Sequence, residues 1–117
     1  MSLERKSIAQ NFLTLVGTGE VVKAYNQHVS SDFIHHNQYF KGDRESLRLA
    51  MIDAHKENPN QSVDVKTTFA EGDFIICHSH IVNDKMQIAV VHIFRFVGSK
   101  IVELWDLGQV IEPEGVN

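Results

Sequence analysis

Val90-Val91-His92-Ile93-Phe94-Arg95-Phe96 and Ile101-Val102-Glu103-Leu104-Trp105-Asp106-Leu107 decide the fold. Both runs are rich in β-branched and aromatic residues, and Gly98-Ser99 between them marks a turn, so the pair reads as a β-hairpin. Its register settles which side chains share a face, because a slip of one residue inverts a strand. A two-residue loop sets Phe94 opposite Glu103 and His92 opposite Trp105. A three-residue loop, Val97-Gly98-Ser99 with a bulge, sets Phe94 opposite Val102, Ile93 opposite Glu103 and His92 opposite Leu104. The second register is preferred because it gathers Phe94, Phe96, Val102 and Leu104 on one side and Arg95 with Glu103 on the other. It also places His92 and Asp106 together on the buried face.

Outward from the hairpin, Val63, Val65, Thr67 and Phe69 alternate against Asp64, Lys66 and Thr68, then Glu71-Gly72-Asp73 turns the chain. Phe74 to Val82 forms the next strand and Asn83-Asp84-Lys85 the next turn. Before these strands come three helical stretches. Ile8, Phe12, Leu15 and Val16 form an apolar stripe that ends at Gly17-Thr18-Gly19. A short helix follows from Glu20 to near Ser30-Ser31. The third starts at an N-cap, Asp43, buries Leu47, Ala50, Met51 and Ala54, and stops before Pro59. Between the second and third, residues 33–36 form at most a short strand leading into a loop. The expected class is α+β. A cone-shaped, curved antiparallel sheet is covered on its concave face by three N-terminal helices, which enclose a pocket.

The chain has 117 residues, 43% apolar and 22% charged, which suits one globular domain spanning 1–117. A net charge of −4 provides no basic field for nucleic acid or an anionic membrane. No apolar run approaches the roughly 20 residues of a spanning helix, and no apolar segment follows Met1-Ser2-Leu3-Glu4-Arg5-Lys6 to make a signal peptide. Cys77 is the single cysteine, read as a small buried hydrophobe. With no internal disulfide to form, the chain suits a reducing cytoplasm.

Asp106 is the sharpest single residue. A carboxylate in mid-strand, facing an interior, loses solvation that favours its charged form, and such a group can act as a general base. The competing reading is a carboxylate satisfied by Trp, Asn or backbone donors. Seven histidines accompany it. His78 and His80 share one strand face, with His92 on the neighbouring strand. Three imidazoles and an aspartate resemble a zinc set, but a spacing of two on a strand is weak and no metal is expected. His36-Asn37 lies on a loop beside Gln38 and Tyr39, suited to position a substrate or simply to form a turn. His35 should point the opposite way. His28 and His55 read as surface helix residues.

Phe33-Ile34-His35-His36-Asn37, Gly42 before a helix, Glu71-Gly72-Asp73 before a strand, and the closing Ala89 to Asp106 segment resemble the SnoaL-like polyketide cyclases of the nuclear transport factor 2-like superfamily. The resemblance implies a single SnoaL-like domain, an intramolecular aldol condensation or related proton abstraction beside a carbonyl, and no cofactor. Asp106 matches the family's acid/base aspartate and His92 a pocket histidine; His36-Asn37 matches a His-Asn loop signature. Leu104 stands where many relatives have histidine, which removes one polar group. Two functions follow as expectations. One is an enzyme in which Asp106 takes the proton and His92 or His36 supports the enolate oxygen. Asn37 with Trp105 or Phe94 would orient a small apolar carbonyl compound, and His78, His80 and Leu104 would line its pocket. The other is a non-catalytic binding module using the same pocket. Ile93 and Trp105 on the convex face would let two copies form a homodimer.

Overall fold

The computed structural model describes residues 2–37 and 41–115. Helix α1 (Ser2–Gly17) and helix α2 (Val21–His28) come first, then strand β1 (Val29–His36) and helix α3 (Arg44–Glu57). Strands β2 (Asn60–Glu71), β3 (Phe74–Asn83), β4 (Gln87–Val97) and β5 (Lys100–Ile111) complete the chain. One sheet forms in the order β1-β5-β4-β3-β2. The four strands from β2 onward make the expected antiparallel meander, whereas β1 runs parallel to β5. The sheet is therefore mixed, and the third helix follows a full strand. Strand β1 starts at Val29 rather than near residue 33, since an edge strand needs few apolar side chains, only Val29, Phe33 and His35 being buried here.

Local chemistry explains the helix ends. Asp43 caps α3 through a carboxylate oxygen that accepts from Ser46 N at 3.1 Å. Leu47, Ala50, Met51 and Ala54 of α3 face the sheet across a cavity, but of these four, all expected to be buried, only Leu47 is, and Ala54 is exposed because the cavity separates the helix from the sheet. Helix α2 ends at His28, two residues early, because Val29 has already turned to an extended conformation. The core lies between α1, α2 and the inner face of the sheet. There Phe12 meets Phe94 edge-on at 5.8 Å, and Tyr25 bridges Phe12 and Phe33 at 6.1 and 6.0 Å. Such pairs add about 0.5–1.5 kcal/mol each beyond their buried area.

Two bulges correct the strand readings. Between Val65 and Thr67 the β2 register shifts, so Thr68 takes the inward place expected of Thr67, and Phe69 turns outward and is 56% exposed. In the hairpin, Val97 pairs with Lys100 and Phe96 with Ile101 across a two-residue turn, in which Gly98 has φ +58°. The register then shifts, and Arg95 faces Glu103, Phe94 faces Leu104 and His92 faces Asp106. Neither simple register holds. The turn is the two-residue one, and the bulge then restores the sorting of faces that favoured the other register. Among the described residues no helix covers the outer face, where Phe69, Phe74 and Leu107 are exposed.

Candidate functional site

At the centre of the inner face, Cys77 on β3, His92 on β4 and Asp106 on β5 stand in one row across three adjacent strands. Above this row the sheet and helices leave a cavity of about 150 Å³. Phe12, Leu13 and Val16 of α1 and the α3 stripe wall it, with Leu104, His92 and Asp106 at its base. The lining is apolar apart from the imidazole and the carboxylate.

His92 Nε2 lies 4.0 Å from Asp106 Oδ1, and the two side chains are 12% and 30% exposed. That separation is too long for a hydrogen bond. Asn37 Nδ2 donates to the other oxygen, Oδ2, at 3.3 Å. Burial pushes the His92 imidazole below its ordinary value, and the neighbouring Asp106 charge only partly opposes this. The ring is thus held neutral. Asp106 keeps partial access to solvent, more than the sequence reading gave it. The Cys77 thiol is pushed up by burial, against a smaller opposing contribution from Thr68, and so is no nucleophile.

Of the residues expected in the pocket, Asp106, His92, Asn37 and Leu104 come together, with Phe94 behind them, its ring stacked on His92 at 6.1 Å. His36 and Trp105 do not join them. They stack on each other at 4.8 Å on the outer face, and His36 Nε2 bonds Glu103 Oε2 at 2.6 Å. Arg95 completes that cluster by donating to Glu103 Oε1 at 2.8 Å. His78 is exposed and His80 bonds Gln87 Oε1 at 2.9 Å, also outside. The cause is alternation: Ile75, Cys77 and Ser79 are the buried set on β3, so the histidines between and beyond them face out. His35 turns inward, buried against Phe33, with Nε2 2.6 Å from Lys41 O. Parallel pairing of His35 with Leu104 and His36 with Trp105 fixes this. His28 is held at 2.7 Å by Asn11. Gln38 and Tyr39 lie outside the described residues.

Among the described residues, no cluster of three His, Cys, Asp or Glu side chains could hold a metal ion. Ser79, 1% exposed on the inner face, was not singled out. Pairing the buried alternation of β3 with that of β4 would have found it.

No protein-family model and no curated protein matches the sequence. Solved structures do match. AclR, a proposed hydroxylase from Streptomyces galilaeus, is 21% identical with a TM-score of 0.79, over 92% of this chain and 90% of that one. An NTF-2 like protein of unknown function from Burkholderia xenovorans is 16% identical with a TM-score of 0.75, over 99% and 89%. IdmH, a proposed polyketide cyclase from Streptomyces antibioticus, is 12% identical with a TM-score of 0.75, over 90% and 91%. At these identities the likeness is one of architecture: the chain has the nuclear transport factor 2-like fold.

Proposed function

We propose that the cavity takes a small, largely apolar carbonyl compound and performs cofactor-free proton transfer on it, in the manner of a SnoaL-like cyclase or isomerase. The observation that carries this reading is the pairing of a solvent-reaching carboxylate with a neutral imidazole, 4.0 Å apart, at the base of an apolar chamber. A group seated above the pair, off the line that joins them, can lie within about 3 Å of both. Asp106 takes the proton from the carbon beside the carbonyl, and the C–H electron pair becomes the enolate. His92 Nε2–H donates to the developing oxygen, a charge best stabilised by a donor already held in place. Asn37 holds the carboxylate by its second oxygen. Protonated Asp106 then returns its proton to a different carbon, which completes an isomerisation. If the enolate carbon instead attacks a second carbonyl, the proton goes to the new alkoxide and an aldol results. The likeness to IdmH supports the cyclase version.

A cavity of about 150 Å³ is small. Apolar cavities of about this size accept a benzene-sized molecule, so a single-ring or short-chain compound fits, and a multi-ring one needs α3 to move. Deuterium exchange gives the test. Incubated with cyclohexanone in heavy water, the protein should wash out the α-protons faster than buffer does, and Asp106→Asn, with an unchanged near-UV spectrum, should not. Equal exchange in both proteins would exclude Asp106 as the base. The dominance of apolar lining favours a second reading, a non-catalytic binding module, and bound ketone without exchange would select it.

A further inference from the structure

Among the buried polar atoms that lack hydrogen-bond partners among the described residues are the Tyr25 hydroxyl in the core and, on neighbouring strands of the inner face, Ser79 Oγ and His92 Nδ1. Native proteins satisfy most such groups, so a pair on neighbouring strands calls for an explanation. Cys77 stands directly opposite His92, and Ser79 is the next inward-facing residue along β3, opposite Val90. Ser79 and His92 are therefore diagonal neighbours across an antiparallel pair, about 7–8 Å apart at the backbone, within mutual reach of side chains or of one bridging water.

The other ring nitrogen fixes what Nδ1 needs. Nε2 faces the Asp106 carboxylate, which when ionised only accepts hydrogen bonds, so the field there favours a proton on Nε2. Nδ1 is then a bare acceptor in a dry site. Three side chains on β3 are buried on this face near the ring: Ile75, Cys77 and Ser79. Ile75 has no donor. Cys77 Sγ lies 3.7 Å from Thr68 Oγ1, a contact in which either atom can donate, and its S–H is a weak donor beside a hydroxyl. The Ser79 hydroxyl is left.

We propose that Ser79 is a positioning residue for His92: on turning about its side-chain torsion, from a placement in which it bonds nothing, its hydroxyl donates to Nδ1 and holds the ring as the Nε2–H tautomer aimed into the cavity. This rests on the reading of His92 as the donor to the substrate oxygen, but its test needs no substrate. The groups that face the ring are Asp106 from β5, Cys77 from β3 and Phe94 from its own strand. A hydrogen bond at the far ring nitrogen is what keeps an imidazole in one tautomer.

Long-range ¹H–¹⁵N correlation spectra of the ¹⁵N-labelled full chain, recorded above about pH 7.5 where imidazoles are neutral, read the tautomer of His92 directly. The wild type should show Nε2–H. In Ser79→Ala the ratio of Nε2–H to Nδ1–H should fall about fivefold or more, the worth of one ordinary hydrogen bond. Ser79→Thr should restore it, and Cys77→Ala should leave it unchanged. An Nδ1–H tautomer in the wild type would overturn the proposal without any variant, as would a ratio that moves with Cys77→Ala and not with Ser79→Ala. A ketone that fails to exchange while these spectra come out as expected would reject the catalytic reading alone.

Discussion

His92 and Asp106 face each other across β4 and β5, yet their nearest nitrogen and oxygen stay 4.0 Å apart. They are close enough to share a field and too far to satisfy each other by a hydrogen bond. Burial lowers the imidazole and the carboxylate charge works against it. Asp106→Asn removes the opposing contribution and leaves burial, so the His92 titration should move further down. Histidine NMR titration of both proteins checks this, and an unmoved midpoint would mean that the two groups do not feel each other.

The same imidazole makes stability depend on pH. Because the folded value lies below the ordinary 6.5, the unfolded chain binds more protons in the interval between them. The contribution from neutral His92 is complete above 6.5 and is lost as pH falls toward the lower folded value. His28, lowered by burial and then by Lys100, acts in the same direction. Urea midpoints should therefore drop on acidification below 6.5, and His92→Gln should flatten part of that slope. A slope identical in the variant would assign the effect elsewhere.

Glu103 adds a separate acid limb. Hydrogen bonds first from His36 and then from Arg95 hold its carboxyl below the usual range. A depressed carboxylate contributes stability above its unfolded value, near 4.5, which disappears as pH falls through the folded one. Glu103→Gln should remove that component while leaving the loss that begins near 6.5 in place. Melts between about pH 3 and 5, around the ordinary carboxylate range, would show it, and an unchanged acid limb would refute it.

Arg5 ties the start of α1 to two hairpin turns. It is 7% exposed, donates from Nε to Gly98 O at 2.9 Å and from Nη1 to Asp73 Oδ1 at 3.0 Å, and its guanidinium lies 5.7 Å from the centre of the Phe96 ring. Asp73 is 69% exposed, so the ion pair itself counts for little. The buried bond to the carbonyl and the packed stem carry the effect. Arg5→Ala should cost about 2 kcal/mol, and Asp73→Asn well under about 1 kcal/mol. Denaturant titration of the two variants separates them; equal losses would shift the weight to the ion pair.

Leu104 closes the cavity floor and is 3% exposed. Leu104→Ala should cost about 3 kcal/mol, the usual range for a buried leucine being about 2–5. It should also let the chamber take a larger ring. Thermal shift with naphthalene-sized ketones would read this gain, and no gain would mean that the floor does not limit the ligand.

Periodicity alone located three helices, a β-meander and the Asp106–His92 face, since apolar spacing reports directly which side of an element avoids water. The cap at Asp43 and the sheet-facing side of α3 were legible for the same local reason, though only Leu47 on that side is buried. Bulges were not, because an extra residue leaves no mark in the alternation until two strands are aligned, and so Phe69, grouped by alternation with Val63 and Val65, lies on the opposite face from them. Which of His35 and His36 turns inward depended on a parallel partner 69 residues away in sequence, with His36 beside Trp105. Composition could make those imidazoles available; only strand pairing across the sheet could put His36, His78 and His80 on one face and set His92 beside Asp106 on the other.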